Sequence, residues 1–326
     1  MTPLHFEELY QAEWQELEGL LGRMLGRGRE AGAAQPVSGE RVAALYRRAC
    51  EHLAIARARS YPAYLLARLE RLTADAHRQI YRRRDFGVSN LKQLLLADFP
   101  RAVRAHARYV WTSAALLIVP MLAAGLLVYA RPELILSVVS ADTAASFERM
   151  YSPAAESIGH ARTADTDWTM FGFYIRNNIG IAFQCFAGGV IAGLGTLFFI
   201  LYNGAFIGAI AGYVTQRGFA AVFFPFVVTH SAFELTAIVL SGAAGLRLGA
   251  AVLAPGESTR VQALVGAARE SVVIVYGVAA LLLVAAAIEA FWSSARWLPP
   301  PVKFGVAAAC WIAVLAYLTL QGRRAG

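Results

Sequence analysis

Residues 109–130 run without a single charged side chain. As a helix rising about 1.5 Å per residue, this stretch is about 33 Å long, enough to cross a hydrocarbon core of about 30 Å. Further long apolar stretches occur at 179–202, 225–249, 272–292 and 302–320. Inside lipid every backbone polar group must be satisfied by the chain itself, and segments of this length do that as helices. The expected fold is therefore all-α, a polytopic transmembrane helical bundle.

Composition agrees. Charged residues are 16% of the chain, where a soluble domain carries about 25%. The charge is also uneven. Residues 1–108 hold 18 of the 30 Lys+Arg and 12 of the 22 Asp+Glu, so the first third is water-soluble in character and the rest lipid-embedded. Residues 1–10 lack the basic and apolar regions of a secretory signal. The expectation is an N-terminal domain made in the cytoplasm ahead of the first span. The three cysteines, Cys50, Cys185 and Cys310, have no metal-ligand spacing and read as free thiols.

Three amphipathic helices are expected in residues 1–88. The first, 4–26, carries Phe6, Leu9, Trp14, Leu17, Leu20 and Leu21; residues 27–37 form a loop. The second starts at Ser38 as N-cap, carries Val42, Leu45, Tyr46, Leu53 and Ile55, and is broken by Tyr61-Pro62. The third, 62–84, carries Leu65, Leu69, Leu72, Ala76 and Ile80 on one face. Residues 89–108 set Leu91, Leu94, Leu95, Phe99 and Val103 against Lys92, Arg101, Arg104 and Arg108, the pattern of an interfacial helix on anionic lipid. A fourth bundle helix is the alternative.

The transmembrane domain is expected over 109–322, with an extracytoplasmic loop at 131–170 that holds three Arg and six Asp+Glu. That asymmetry places the N-terminus in the cytoplasm. The apolar piece 204–216 has 13 residues, too few to cross alone, and the expectation sets a helix break at Asn203-Gly204. Counted as a crossing it makes six spans and a cytoplasmic C-terminus, the favoured reading; as a re-entrant half-helix it leaves five. Residues 250–270 read as a linker.

Chemistry concentrates in 225–249. His230 and Glu234 are four apart and share a helix face. A lone carboxylate in hydrocarbon is costly, so Glu234 needs a partner or a polar interior. The pair is either a ligand or proton site, joined by Asn177, Asn178 and Asn203, or a structural hydrogen-bonded pair. Two ligands are too few for a metal, so no metal and no cofactor is expected. Glu289, close to a span end, reads as snorkelling to the interface or making a polar contact rather than as catalytic. Gly189, Gly193, Gly204, Gly208, Gly212, Ser241, Gly245 and Gly249 form small-residue ridges for close helix packing, within one chain or between two copies. No G-x-S-x-G, Walker A, HExxH or CxxC motif supports a soluble enzyme, an intramembrane enzyme stands third behind the two functions given below, and nothing points to nucleic acid.

Two segments carry a family resemblance: IRNNIGIAFQCFAGGVIAGLGTLFFILYNGAFIGAIAGYV at 175–214 and THSAFELTAIVLSGAAGLRLG at 229–249, with supporting pieces at 45–84, 99–111 and 287–304. The chain resembles the stage II sporulation protein M family of bacterial integral membrane proteins (the DUF95 group). The resemblance implies a multi-pass protein of the bacterial cytoplasmic (inner) membrane that acts in the cell envelope as a scaffold or assembly factor. The expected partners are membrane lipid, a second copy in a homodimer and envelope proteins. A transporter or channel using the His230–Glu234 site is the alternative function.

Overall fold

The structure is a computed structural model and describes residues 1–24, 39–80, 88–152, 166–295 and 297–323. Every regular element among them is helical. The expected loop at 27–37, the Ser38 cap and part of the 131–170 loop lie outside the described residues. The chain divides into two compact units, Met1–Asn90 and Leu91–Gly326.

The first unit holds α1 (Pro3–Met24), α2 (Gly39–Ala58) and α3 (Ala63–Ile80). Phe6, Trp14, Leu17 and Leu21 meet Leu45, Ala49, Leu65, Leu69 and Ala76 in one core. Leu65, Leu69, Leu72 and Ala76 recur at helical spacing, so one stripe of α3 is buried and the other faces stay wet. Two residues of the expected stripes do not join the core: Leu9 is 53% exposed and Ile55 38%. Helix phase sets them beside the stripe rather than on it. The Tyr61-Pro62 step ends α2, with Ser60 at φ 49°, and Tyr61 turns inward to meet the Phe6 ring at 5.2 Å.

The second unit opens within a helix that covers most of the 89–108 range, running without interruption from 88 to 105 through a π-turn and ending at His106. α4 (Val88–Gln93) leads into a π-turn at Leu94–Asp98, then α5 (Phe99–Ala105). Phe99 and Val103 are buried against Ile274, Val278, Leu281 and Leu318. Two arginines of its basic side are engaged within the unit: Arg104 Nη1 donates to the Leu318 carbonyl at 2.8 Å and Arg101 Nε to that of Gly322 at 2.9 Å. These are the carbonyls at a helix C-terminus that lack partners within their own helix.

Six long helices follow: α6 (Ala107–Ala130), α8 (Thr166–Ala187), α9 (Leu194–Gln216), α10 (Ala220–Leu253), α11 (Arg260–Ala287), which continues as a π-turn at Ile288–Ser293, and α12 (Pro300–Leu320). Between α6 and α8 lies the short α7 (Ala141–Tyr151). Five of the six are long and apolar enough to cross a membrane; α8 falls outside that set. Its 22 residues are long enough, but Asp167, Arg176, Asn177, Asn178 and Gln184 lower its hydropathy.

Glycine contacts fix the directions. A Cβ on Gly204, Gly208 or Gly212 would overlap the backbone of Leu117, Met121 or Gly125 respectively. The contacts advance in the same sense on both helices, so α6 and α9 run parallel. The chain must return between them, and α8 is that return leg. Gly189 and Gly193 pack in the same way on Gly245 and Gly249 of α10, while Ser241 is buried in the same helix. The ridges offered by the sequence to either one chain or two are thus used within one chain. α10 is central: 61% of its apolar window is buried, against 17% for α6 and 22% for α12.

The break in the second apolar region is elsewhere than expected. α9 runs unbroken through Asn203-Gly204, and the residues 204–216 are its second half rather than a re-entrant piece. The chain bends at 188–193 instead, where Ala192 has φ 49° and Gly193 φ 83°. Thr196 Oγ1 reaches back across the bend to the Cys185 carbonyl at 2.7 Å. Asparagine and glycine permit a break, but Gly204 is needed for close approach to α6, and that role is compatible with helix. The linker expected at 250–270 also shrinks: α10 continues to Leu253, and α11 starts at Arg260 under a Thr259–Gln262 capping box.

Candidate functional site

His230 lies on α10 between Phe226 and Glu234, one helical turn from each. It is 5% exposed. Its Nε2 is 3.8 Å from Glu234 Oε2, and its Nδ1 lies 3.0 Å from Ser293 Oγ, at the end of the π-turn that closes α11. The Phe226 ring meets the imidazole edge-on at 5.6 Å. The expected pair therefore exists, and it is tied to a second helix.

Glu289 completes the group. One ligand-type atom from each of His230, Glu234 and Glu289 lies within 4.8 Å of the other two. The sequence reading placed Glu289 at an interface, apart from the pair; the structure places it in the cluster. It sits inside the π-turn Ile288–Ser293, where the widened turn shifts the phase of the side chains that follow. Two ionised carboxylates about 4.8 Å apart repel by about 3–4 kcal/mol at an effective dielectric of about 20. A proton or a cation between them would remove that repulsion.

A buried cation lies nearby but points elsewhere. Lys303 of α12 is 2% exposed, and its Nζ donates to the Ser293 carbonyl at 2.7 Å. Thr229 Oγ1 donates to the Lys303 carbonyl at 3.4 Å. Ser293 thus joins His230 to Lys303 through its hydroxyl and its carbonyl, and links α10, α11 and α12.

The family scan now bears on the site. The stage II sporulation protein M model matches residues 113–294. The chain belongs to the stage II sporulation protein M family. The matched region holds His230, Glu234, Glu289 and Ser293 and ends before Lys303. A second model, a domain of unknown function (DUF8413), matches residues 5–82, within the first structural unit. No curated protein matches and no solved structure matches. For this family member, then, the site stands on its own geometry.

Above the cluster, α7 brings Tyr151 onto Phe223 at 5.0 Å and Phe226 at 6.1 Å. Burial, with the Glu289 charge nearby, pushes the Tyr151 hydroxyl well above its ordinary 10.0. α7 is held down by Glu148, which accepts from Tyr213 at 2.5 Å and from Arg217 Nε at 2.7 Å. These hydrogen bonds hold the Glu148 carboxyl below its ordinary 4.5.

The asparagines behave differently. Asn203 donates to Phe199 O at 2.7 Å within its own helix. Asn177 Nδ2 donates to its neighbour Asn178 Oδ1 at 2.9 Å, and Asn178 is 4% exposed on α8. Of the five residues offered as a site, the structure joins His230 and Glu234 and adds Glu289, Ser293 and Lys303 around them. The signal for Glu289 was available: like Glu234, it is a lone carboxylate in an apolar run. A turn placed at 254–259, with its Pro255-Gly256 and Thr259-x-x-Gln262 cap, makes α10 and α11 an antiparallel hairpin, but counted from that turn Glu289 lies about 15 Å farther along its helix than Glu234, so the hairpin alone does not pair them.

Proposed function

We propose that this member of the stage II sporulation protein M family is a membrane scaffold or assembly protein of the bacterial cytoplasmic membrane, and that α8 meets its protein partner. The observation that carries this reading is the outward face of α8. Arg176, Asn177 and Gln184 are exposed there. Gly172 and Gly180 lie on the same helix, and a Cβ on either would meet nothing within 4 Å. Polar side chains turned to lipid are costly, while small residues between polar ones suit a second helix. A protein helix, from a second copy or from an envelope protein, is a better neighbour for this face than acyl chains.

Orientation follows from charge. Six antiparallel legs place the start of α6 and the end of α12 at one end of the bundle. Arg101, Arg104, Arg108, Arg247, Arg260, Arg269 and Arg323 belong to that end, against Asp98, Glu257 and Glu270, while the other end has Arg131, Arg149 and Arg217 against Glu133, Asp142 and Glu148. By the positive-inside rule the first end is the cytoplasmic one. Partnering with anionic lipid at that surface is part of the same reading.

A photo-crosslinking residue at Gly180 tests the proposal, with Leu122 of α6 as the lipid-facing control. Protein adducts at 180 and not at 122 support assembly through α8; lipid adducts alone at both positions reject it. A second reading, transport of a proton or ion, is favoured by the His230–Glu234–Glu289 cluster. It predicts that Glu234→Gln abolishes flux in proteoliposomes while assembly is retained.

A further inference from the structure

We propose that His230, Glu234 and Glu289 bind one divalent first-row transition-metal ion, with zinc as the reference ion. The proposal goes beyond the assembly reading and does not depend on it. It begins from convergence: the three ligand atoms lie within 4.8 Å of one another on two different helices. A triangle of that side has its centre about 2.8 Å from each corner, against zinc bonds of about 2.0–2.2 Å to histidine and carboxylate. A shift of less than an ångström at each side chain closes the site.

The donor set selects the ion class. One imidazole and two carboxylates suit zinc, manganese or iron; magnesium and calcium prefer all-oxygen shells. Three protein ligands leave a fourth position open, as in metal sites that exchange water or substrate. The imidazole is also set up for the task. Ser293 Oγ, 3.0 Å from Nδ1, accepts a hydrogen bond from the protonated Nδ1 in one tautomer, which leaves Nε2 with a lone pair facing Glu234 at 3.8 Å. Metal-bound histidines are oriented by this kind of contact to the remote nitrogen. In that tautomer all three groups present lone pairs to a common point, and a cation there removes their mutual repulsion. Lys303 does not serve, because its ammonium group is directed to the Ser293 carbonyl. The ion pins α10 to the π-turn of α11.

Full-length protein in detergent is stripped with a chelator, equilibrated with zinc chloride, desalted and assayed for metal. Cobalt(II) is added to a parallel sample and its visible spectrum recorded. Expected are about one zinc per chain and a cobalt ligand-field band that zinc abolishes. Zinc retention should fall about tenfold or more in His230→Ala and Glu289→Gln and stay unchanged in Glu270→Gln, whose carboxylate pairs with Arg247 instead. Wild-type protein that retains no zinc and gives no cobalt band overturns the proposal and leaves a shared proton in the cluster. Equal zinc in wild type and both cluster variants overturns it as well. Should the variants fail to yield monodisperse protein, the wild-type cobalt band and its displacement by zinc decide alone. None of these readouts reports on oligomers, so failure here leaves the α8 proposal standing.

Discussion

Gly208 of α9 lies directly against the backbone carbonyl of Met121 on α6, with no space for a Cβ between them. Gly204 and Gly212, one turn either side, make the same contact with Leu117 and Gly125. Three successive turns of backbone-on-backbone packing lock two parallel helices together. In lipid, where apolar burial between helices brings little gain, such close van der Waals contact is a main source of association.

Gly208→Ala should therefore destabilise the bundle by about 1–3 kcal/mol through overpacking. Gly305→Ala, where a Cβ meets nothing within 4 Å, should be near neutral. Thermal aggregation midpoints in detergent compare the two; equal midpoints would show that α6 and α9 are not held at this distance.

In the N-terminal unit, Trp14 is 1% exposed and its Nε1 donates to His52 Nδ1 at 3.1 Å. Trp14→Ala should cost about 3–5 kcal/mol from the cavity and lost burial. Trp14→Phe should cost less, chiefly the hydrogen bond at about 1 kcal/mol and the volume difference. Urea unfolding followed by circular dichroism ranks the two variants.

His52 also gives this unit a pH dependence. Burial lowers its pKa below the ordinary 6.5. The unfolded chain then binds a proton more readily than the folded one over the interval below 6.5, so stability rises with pH there. Stability should be full above 6.5 and fall as pH drops through the interval, until the folded histidine titrates as well. Melting temperatures of wild type and His52→Gln across this range test it; parallel curves would reject His52 as the source.

At the opposite end of the bundle from α5, Glu148 ties α7 to Tyr213 and Arg217. Its carboxyl is held below 4.5, so the attachment contributes above the ordinary value and is lost as pH falls through the lower folded one. Arg217→Ala should weaken docking by under about 1 kcal/mol, because the pair is partly solvated. Hydrogen-exchange protection factors of residues 141–151, referred to the intrinsic rate at each pH, should fall on acidification and in the variant. Unchanged protection in both would dissociate α7 from Glu148.

Much of this protein was legible in the sequence. The apolar runs identified α6, α10, α11 and α12, and the His230–Glu234 spacing placed two side chains on one face of α10. α8 and α9 were read poorly, since the run at 179–202 straddles the bend at 188–193. Apolar character continues across a bend made by small residues, so hydropathy does not register it. Asn203-Gly204 looked like the break because both residues tolerate one, yet tolerance is not requirement. Leu9 and Ile55 show the same limit in the first unit: apolar type alone does not tell which side of a stripe faces the core.

The sequence by itself determined that the chain is a helical membrane protein with its charge concentrated in the N-terminal third, because lipid admits only self-satisfied helices of a set length and charge cannot be hidden there cheaply. It marked Glu234 as an anomalous carboxylate, but not Glu289. Only the tertiary structure decided that Glu289 stands with His230 and Glu234, that Ser293 and Lys303 frame them, and that the glycine ridges serve one chain rather than two. Those facts depend on helix direction, phase and the added residue of a π-turn. A displacement of one turn at any of them would separate the same side chains by more than 5 Å.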